Sequence, residues 1–197
     1  MSLDLFAALV GFAFVSSVTP GPNNMMLLAS GVNFGFRRTV PHMLGIGFGF
    51  TSLLLGVGFG LGAVLVAIPT LHTALKVAGG AYLLYLAWRT ATSSKIAEAG
   101  SASRPILFLE AAAFQWINPK AWVMAVTAMA IYTSPEAPVR SVLLVAAAFA
   151  LVNLPSVSVW AGFGTALRGW LSDSARLRWF NLAMGLLLAA TLWPMLA

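Results

Sequence analysis

Two proline-centred stretches interrupt long apolar runs: TPGPNN at residues 19–24 and QWINPK at residues 115–120. A proline removes a backbone N–H donor and clashes with the preceding helical turn, so each stretch predicts a broken helix. Each break lies about 15 residues into its run, roughly 22 Å along a helix axis, which places it well inside a bilayer if the run spans a membrane. Irregular backbone at that depth is tolerated only where it is buried in protein or lines a cavity.

The composition around these breaks excludes an ordinary soluble domain. Of the 197 residues, 60% are hydrophobic and only 8% are charged, against about 25% charged in soluble proteins. The chain has no cysteine, which excludes thiol–disulfide chemistry, cysteine-bound zinc and iron–sulfur clusters. We find no pair of histidine ligands, no close pair of carboxylates and no phosphate-binding loop. The sequence therefore predicts neither an enzyme nor a bound metal or cofactor.

Six apolar runs are long enough to be membrane-spanning helices, so we predict an all-α integral membrane protein. They cover residues 5–34, 40–67, 72–88, 105–132, 139–167 and 179–196. A polar stretch separates the third run from the fourth. This division predicts a first three-helix repeat (1–91), a cytoplasmic linker (92–104) and a second three-helix repeat (105–197).

The basic residues predict the orientation of these spans. The net charge is +6, but the basic residues flank apolar runs and form no basic face, which argues against nucleic-acid binding. Only Lys76 and Arg140 lie near the starts of the third and fifth runs. The other basic residues predicted to lie in loops follow the first, third and fifth runs. They are Arg37, Arg38, Arg89, Lys95, Arg104, Arg168, Arg176 and Arg178. Because cytoplasmic loops carry the excess of Lys and Arg, both termini are expected outside.

The breaks recur in equivalent places in the two halves. The first and fourth runs are broken, and two further runs follow each of them. Aligning Pro20 with Pro119 also places Met25 opposite Met124. Three spans per half give the halves opposite orientations, and this 3+3 inverted repeat is typical of secondary transporters.

The breaks also predict the chemistry of a binding site. Each second half-helix begins inside the membrane, where its partly positive N-terminus suits a carboxylate. Lys120 adds a charge at a costly depth, which a bound carboxylate, Glu110 or backbone carbonyls could compensate. An amino acid fits this scheme, with its ammonium on freed carbonyls of residues 15–18. The candidate substrate-binding residues are Thr19, Pro20, Gly21, Pro22, Asn23, Asn24, Gln115, Asn118, Pro119, Lys120 and Asn153, with Ser156 and Ser158 as weaker candidates.

Two further features leave alternatives open. Glycines at positions 45, 49, 56 and 60 share one face of the second run, and those at 47, 58 and 62 form a second stripe. Such stripes allow close helix packing. We expect packing within one subunit for at least one of them and leave a homodimer contact or a sliding surface open for the other. His42 is either an interfacial side chain or a proton carrier.

Four motifs together resemble the LysE/RhtB family of bacterial amino-acid exporters. They are the TPGPNN stretch, Asn33-x-Gly35-x-Arg37, the run GAYLLYLAWR at residues 80–89, and Phe114-x-x-x-Asn118-Pro119-Lys120-Ala121. The resemblance implies export of an amino acid or derivative across the bacterial cytoplasmic (inner) membrane in exchange for protons, with both termini periplasmic. It also implies that residues 20–24 and 118–121 lie on the substrate path.

Within that family, the Pro-Gly-Pro-Asn-Asn form resembles the threonine/homoserine and cysteine/acetylserine branch more than the lysine/arginine branch, which favours a small neutral substrate. Some relatives have an acid where this chain has Asn23, and often Asn where it has Gln115. The first difference argues against an acid at that position as the proton carrier. A passive channel or facilitator and a membrane subunit without transport activity are the alternatives that the residues leave open.

Overall fold

The computed structural model describes residues 1–93 and 104–193, and within these ranges the protein is all helical. The helices are α1 (Leu3–Val18), α2 (Pro22–Phe34), α3 (Phe36–Gly56), α4 (Gly62–Ala67), α5 (Pro69–Ala91), α6 (Phe108–Gln115), α7 (Pro119–Tyr132), α8 (Pro138–Leu167) and α9 (Ser174–Ala190). A π-helical segment, Val57–Leu61, joins α3 to α4, and a 3₁₀ turn, Trp170–Ser172, precedes α9. Most of the predicted linker, including Lys95, lies outside the described residues.

Each predicted span corresponds to one helix or to two consecutive helices. The first span is α1 with α2, the second is α3 with α4, and the fourth is α6 with α7. Among the described residues, Phe36–Leu61 and Pro138–Leu167 are long and apolar enough to cross a membrane, and α1 with α2, bent by 54°, would be a third span. These apolar helices are those of a membrane protein. The six crossings, the repeat and the location of the termini remain predictions.

The first break follows from local backbone sterics. A residue that precedes a proline avoids helical angles, and both Thr19 (φ −61°, ψ 142°) and Gly21 (φ −177°, ψ 178°) are extended. Pro22 then begins α2, where a missing N–H costs nothing. The second break follows the same rule, because Asn118 is extended (φ −84°, ψ 112°) and Pro119 begins α7. Both breaks therefore occur at the predicted prolines.

A third break was not predicted and lies within the second span. Phe59 (φ −95°, ψ 16°) and Gly60 (φ 111°, ψ −3°) leave the helical region inside the π-helical segment. The positive φ of Gly60 is one that a residue with a Cβ rarely adopts. The prediction of one continuous helix over residues 40–67 is wrong at this point.

Close backbone contacts at glycines hold the bundle together. α8 packs against α1, α2 and α3, α5 packs against α9, and α3 packs against α6. Gly31 of α2 faces the Ala161 carbonyl of α8, and Gly164 of α8 faces the Leu28 carbonyl of α2. The glycines at positions 45 and 49 likewise touch the backbone of α6, so the predicted packing within one subunit is confirmed for that pair. The second stripe does not form one surface, because Gly58 meets Val142 while nothing lies near Gly47.

The buried residues form two main clusters with a polar region between them. One cluster joins α1, α3, α7 and α8 around Phe149, and the other joins α2, α5, α6 and α9 around Phe114. Large apolar side chains such as Leu109, Leu151 and Trp179 are exposed on the outside, which suits contact with lipid. The helix breaks lie where the two clusters meet.

Candidate functional site

Lys120 joins the two helix breaks. Its Nζ donates to the carbonyl oxygen of Thr19 at 2.8 Å, to the Thr19 hydroxyl at 3.0 Å and to the carbonyl oxygen of Pro20 at 3.4 Å. The lysine chain crosses Gly21, where an added Cβ would lie 2.8 Å from the lysine Cδ. The glycine therefore leaves room for the lysine, and segments about 100 residues apart in sequence lie side by side.

The environment of Lys120 compensates its charge without a carboxylate. The lysine follows the first residue of α7, where the helix dipole disfavours a cation, but its ammonium lies at the C-terminal end of α1, where the dipole is favourable. Glu110 does not contribute a contact, because its two oxygens accept from Arg104 at 2.7 and 2.9 Å and from the Leu107 N–H at 2.8 Å. Of the partners that the sequence left open, the carbonyls of the first break hold Lys120 in this structure.

A reciprocal amide pair makes a second link between the breaks. The Asn23 amide donates to Gln115 at 2.8 Å, and the Gln115 amide donates back to Asn23 at 3.1 Å. Gln115 is fully buried, and its amide also donates to the Ala111 carbonyl at 3.0 Å. The pair connects the first turn of α2 to the last turn of α6.

Further side chains complete the ends of the broken helices. The amide of Asn24 donates to the carbonyls of Ser17 at 2.9 Å and Thr19 at 2.8 Å. Asn118 caps α7, because its Oδ1 accepts from the Lys120 N–H at 3.1 Å. Asn153 of α8 donates to the Ser17 hydroxyl at 3.3 Å, and its buried Oδ1 has no hydrogen-bond partner among the described residues.

The carbonyls at the end of α1 already have protein donors. Those of residues 15 and 16 accept from the N–H and the hydroxyl of Thr19, that of Ser17 accepts from Asn24, and that of Val18 accepts from the Trp160 indole. In this conformation each of these carbonyls therefore already accepts from a protein donor, and their contact with a substrate ammonium stays a prediction. Trp160 was not predicted as part of the site, because an interfacial tryptophan has the same sequence signature.

A small polar cavity of about 30 Å³ lies between the breaks. This volume suits a water molecule and is too small for an amino acid. We call this arrangement, with no room for an amino acid between the breaks, the closed conformation. The lining residues are Ser16, Ser17, Gly21, Pro22, Asn23, Asn24, Phe50, Gln115, Asn118, Lys120, Ala121, Met124, Asn153 and Val157.

Most of the predicted site residues share this cavity. Among the exceptions, Thr19 and Pro20 hold the Lys120 ammonium from an exposed position, and Pro119 starts α7. Ser156 and Ser158 do not line the cavity, and their hydroxyls donate to carbonyls of their own helix. Ser16 and Ser17 line the cavity but were not among the predicted site residues. Their only signal in the sequence is their position one turn before Pro20, where a proline leaves backbone carbonyls without donors.

His42 lies inside the helix bundle. It is fully buried in α3, and neither ring nitrogen has a hydrogen-bond partner among the described residues. It does not line the cavity between the breaks.

Comparisons with known proteins match most of the chain. The family model described as LysE type translocator matches residues 14–191. The cysteine/O-acetylserine efflux proteins of Escherichia coli strain K12 and Shigella sonnei strain Ss046 are 32% identical over 136 residues, which cover 69% of this chain and 69% of each relative. No solved structure matches this chain. The family match includes both breaks and Lys120.

Proposed function

This chain belongs to the LysE type translocator family, and we propose that it exports a small neutral amino acid or amino-acid derivative across the bacterial cytoplasmic membrane in exchange for protons. The family consists of translocators and not of enzymes. The relatives named above are cysteine/O-acetylserine efflux proteins, which supports a substrate of this size and charge. The proposal includes six membrane crossings, periplasmic termini and alternating access around the cavity between the breaks.

The observation that carries the proposal is the attachment of Lys120 to the first break. Its ammonium is held by two carbonyls and one hydroxyl, which are neutral partners that a carboxylate can replace. In the proposed cycle, the breaks separate, the substrate carboxylate binds the Lys120 ammonium, and the N–H groups that begin α2 and α7 add donors. Asn153, with its unpartnered oxygen, is then an acceptor for the substrate ammonium.

The packing of the helices supports the 3+3 repeat. If α1 and α2 correspond to α6 and α7, then α3 corresponds to α8 and α5 to α9. The contact of α3 with α6 then has its equivalent in the contact of α8 with α1, and the pairs α3–α8 and α5–α9 are each equivalent to themselves. These pairs fit an inverted repeat, although the extensive contact of α2 with α8 has only a small equivalent in the contact of α3 with α7.

The proton carrier is not an acid of this cavity. None of the acidic residues in the described ranges lines it, and the position where some relatives are expected to carry an acid is Asn23, which is paired with Gln115. The amides of Asn23 and Gln115 bond each other across the two breaks. We therefore assign them to holding the closed conformation and not to proton transfer.

The test combines a binding screen with transport. Purified protein is screened by thermal shift against all amino acids and close derivatives, and hits are used for counterflow in proteoliposomes with and without a pH gradient. Replacement of Lys120 by Met is expected to weaken binding about tenfold to hundredfold, because a charge-assisted hydrogen bond contributes about 1.5–3 kcal/mol. K120R keeps the charge and retains more binding, and K76M, which removes an exposed lysine of α5, is the matched control.

The outcomes separate the alternatives. Amino-acid flux that is the same with and without the proton gradient, and that is not stimulated by substrate on the opposite side, identifies a passive facilitator. Absence of flux with a co-purifying partner identifies a non-transporting subunit. Intact counterflow of every amino acid in both K120M and Asn118→Ala would show that the substrate site is elsewhere.

A further inference from the structure

A larger cavity, of about 450 Å³, lies at the opposite end of α2 from the breaks. We call it the basic vestibule and define it by its polar lining: Ser30, Asn33, Tyr85, Arg89, Thr90 and Arg104. Its volume is within the range of small-molecule sites and about fifteen times that of the closed cavity. It therefore has room for an amino acid in a conformation in which the central cavity has none.

The charges of the vestibule favour an anionic group. Arg104 is neutralised by its bidentate contact with Glu110, which is the only ion pair among the described residues. Arg89 donates to the backbone carbonyl of Arg104 and forms no ion pair within those ranges, although Glu110 lies near enough to interact with its charge. Its guanidinium is half-buried, so its charge is screened less than that of a fully exposed arginine.

One wall of the vestibule is held by buried amides. Asn33 donates to the carbonyl of Ala29 at 2.8 Å and to the Oδ1 of Asn181 at 2.9 Å, and its own oxygen accepts from the Ser93 hydroxyl at 3.3 Å. The Asn181 amide donates to the Ser93 carbonyl at 2.8 Å. These bonds join α2, α9 and the end of α5, so they hold the polar groups of this wall in place.

Helix α2 connects the vestibule to the central cavity. Asn23, in its first turn, lines the central cavity, and Ser30, seven residues later, lines the vestibule. Seven residues of helix span about 10 Å, which is one or two lengths of a small amino acid. The vestibule lies at the end of α2 that leads to Arg37 and Arg38 in the first turn of α3, on the predicted cytoplasmic side.

We propose that the basic vestibule is a second binding site, which holds the carboxylate of a small amino acid on Arg89 before the molecule reaches the central cavity. This inference rests on the proposed export function and extends it by one site. Arg89 provides the positive charge, and the hydroxyl oxygens of Ser30 and Thr90 accept from the ammonium group. Met26 and Leu86, which also line the cavity, accommodate a short apolar side chain.

The absence of native cysteine allows a direct test. Ala29→Cys puts a single thiol on the α2 wall of the vestibule, and Ala175→Cys puts one on an exposed position of α9 as the reference. Both are labelled with anionic sulfonatoethyl and cationic trimethylammonium methanethiosulfonate. We expect the vestibule thiol to favour the anionic reagent about fivefold relative to the reference, as one nearby unpaired charge would produce.

The vestibule proposal predicts how this preference responds to Arg89 and to ligand. Arg89→Gln removes the preference, Arg89→Lys retains it, and Arg140→Gln, at the other end of the bundle, leaves it unchanged. O-acetyl-L-serine slows labelling, and its methyl ester, which lacks the carboxylate, does not. A preference that persists in Arg89→Gln, or equal protection by acid and ester, overturns the proposal.

Transport separates this proposal from the export function. Arg89→Gln is expected to raise the half-saturating concentration from the vestibule side about tenfold and to leave the opposite side unchanged. Normal half-saturation on both sides, together with loss of transport in Lys120→Met, would leave export standing and reject the vestibule. Charge-selective, ligand-protected labelling in a protein that transports no amino acid would reject export and retain an anion site.

Discussion

The Asn23–Gln115 pair provides a quantitative test of what holds the two helix breaks together. The pair has two reciprocal hydrogen bonds, of 2.8 and 3.1 Å, in a region where Gln115 is fully buried. Side-chain hydrogen bonds between membrane helices contribute about 0.6 kcal/mol on average and about 1.7 kcal/mol at most. Two such bonds therefore predict a coupling energy of about 1.2 kcal/mol between the two positions.

The measurement is a double-mutant cycle with Asn23→Ala, Gln115→Ala and the double variant, using reversible unfolding in mixed micelles. Each single variant leaves a partner amide without its bonds, which costs about 1–3 kcal/mol, and the Gln115 variant also loses the bond to the Ala111 carbonyl. The double variant is expected to be more stable than the sum of the single effects predicts. A second cycle pairs Gln115 with Asn181, a buried amide that bonds Asn33 instead of the break, and is expected to show coupling near zero.

A coupling energy for Asn23 and Gln115 that equals the control would contradict the structure. It would mean that the two amides are satisfied independently, and the link between the breaks would then rest on Lys120 alone.

Three further predictions concern stability and follow from the local geometry. Gly164→Val forces α8 away from the Leu28 carbonyl and is expected to cost about 3 kcal/mol or more. Gly162→Val is expected to be tolerated, because no atom of the described residues lies near its side-chain position. Denaturant midpoints of the two variants that are equal would contradict this difference. Gly60→Ala places a Cβ at a φ of 111° and is expected to lower the free energy of unfolding by about 1–2 kcal/mol. Gly62→Ala, in helical backbone, is expected to be neutral or stabilising. Equal effects of the two variants on the free energy of unfolding would show that the kink is not strained. His42→Leu removes two buried ring nitrogens that have no hydrogen-bond partner among the described residues. The variant is expected to raise the melting temperature by a few degrees. A lower melting temperature would show that the ring has a partner.

The helix breaks were predictable because their cause is local. Proline disfavours helical angles for the residue before it and removes a backbone donor, and both effects act within the segment itself. In the sequence itself, Pro20 therefore marks the end of α1, and Pro22 and Pro119 mark the starts of α2 and α7. Pro41 and Pro155 lie inside α3 and α8 without breaking them, which shows that a second proline or an adjacent capping residue was the informative part of the signal.

The partners of the site residues were not predictable, because they depend on tertiary packing. Asn23 and Gln115 are 92 positions apart, and the sequence offers many other amides and carbonyls for each. The kink at Gly60 has the same limitation: it is one of 18 glycines, and no proline distinguishes it from those that pack in regular helix. The sequence thus predicts where the backbone is irregular, and the fold determines which irregular segments meet.

The choice of carbonyls as partners of Lys120 has a consequence for the transport cycle. If an internal carboxylate such as Glu110 held the ammonium, a substrate carboxylate would have to displace an equally charged competitor and would leave that group unpaired in the membrane. Carbonyls are neutral and accept weaker hydrogen bonds than an ion pair provides, so the exchange of Thr19 and Pro20 for a substrate carboxylate is favourable. Without substrate, the same carbonyls keep the ammonium solvated and the breaks together. On the proposed function, Lys120 therefore both closes the empty site and supplies the charge that favours its opening when a carboxylate arrives.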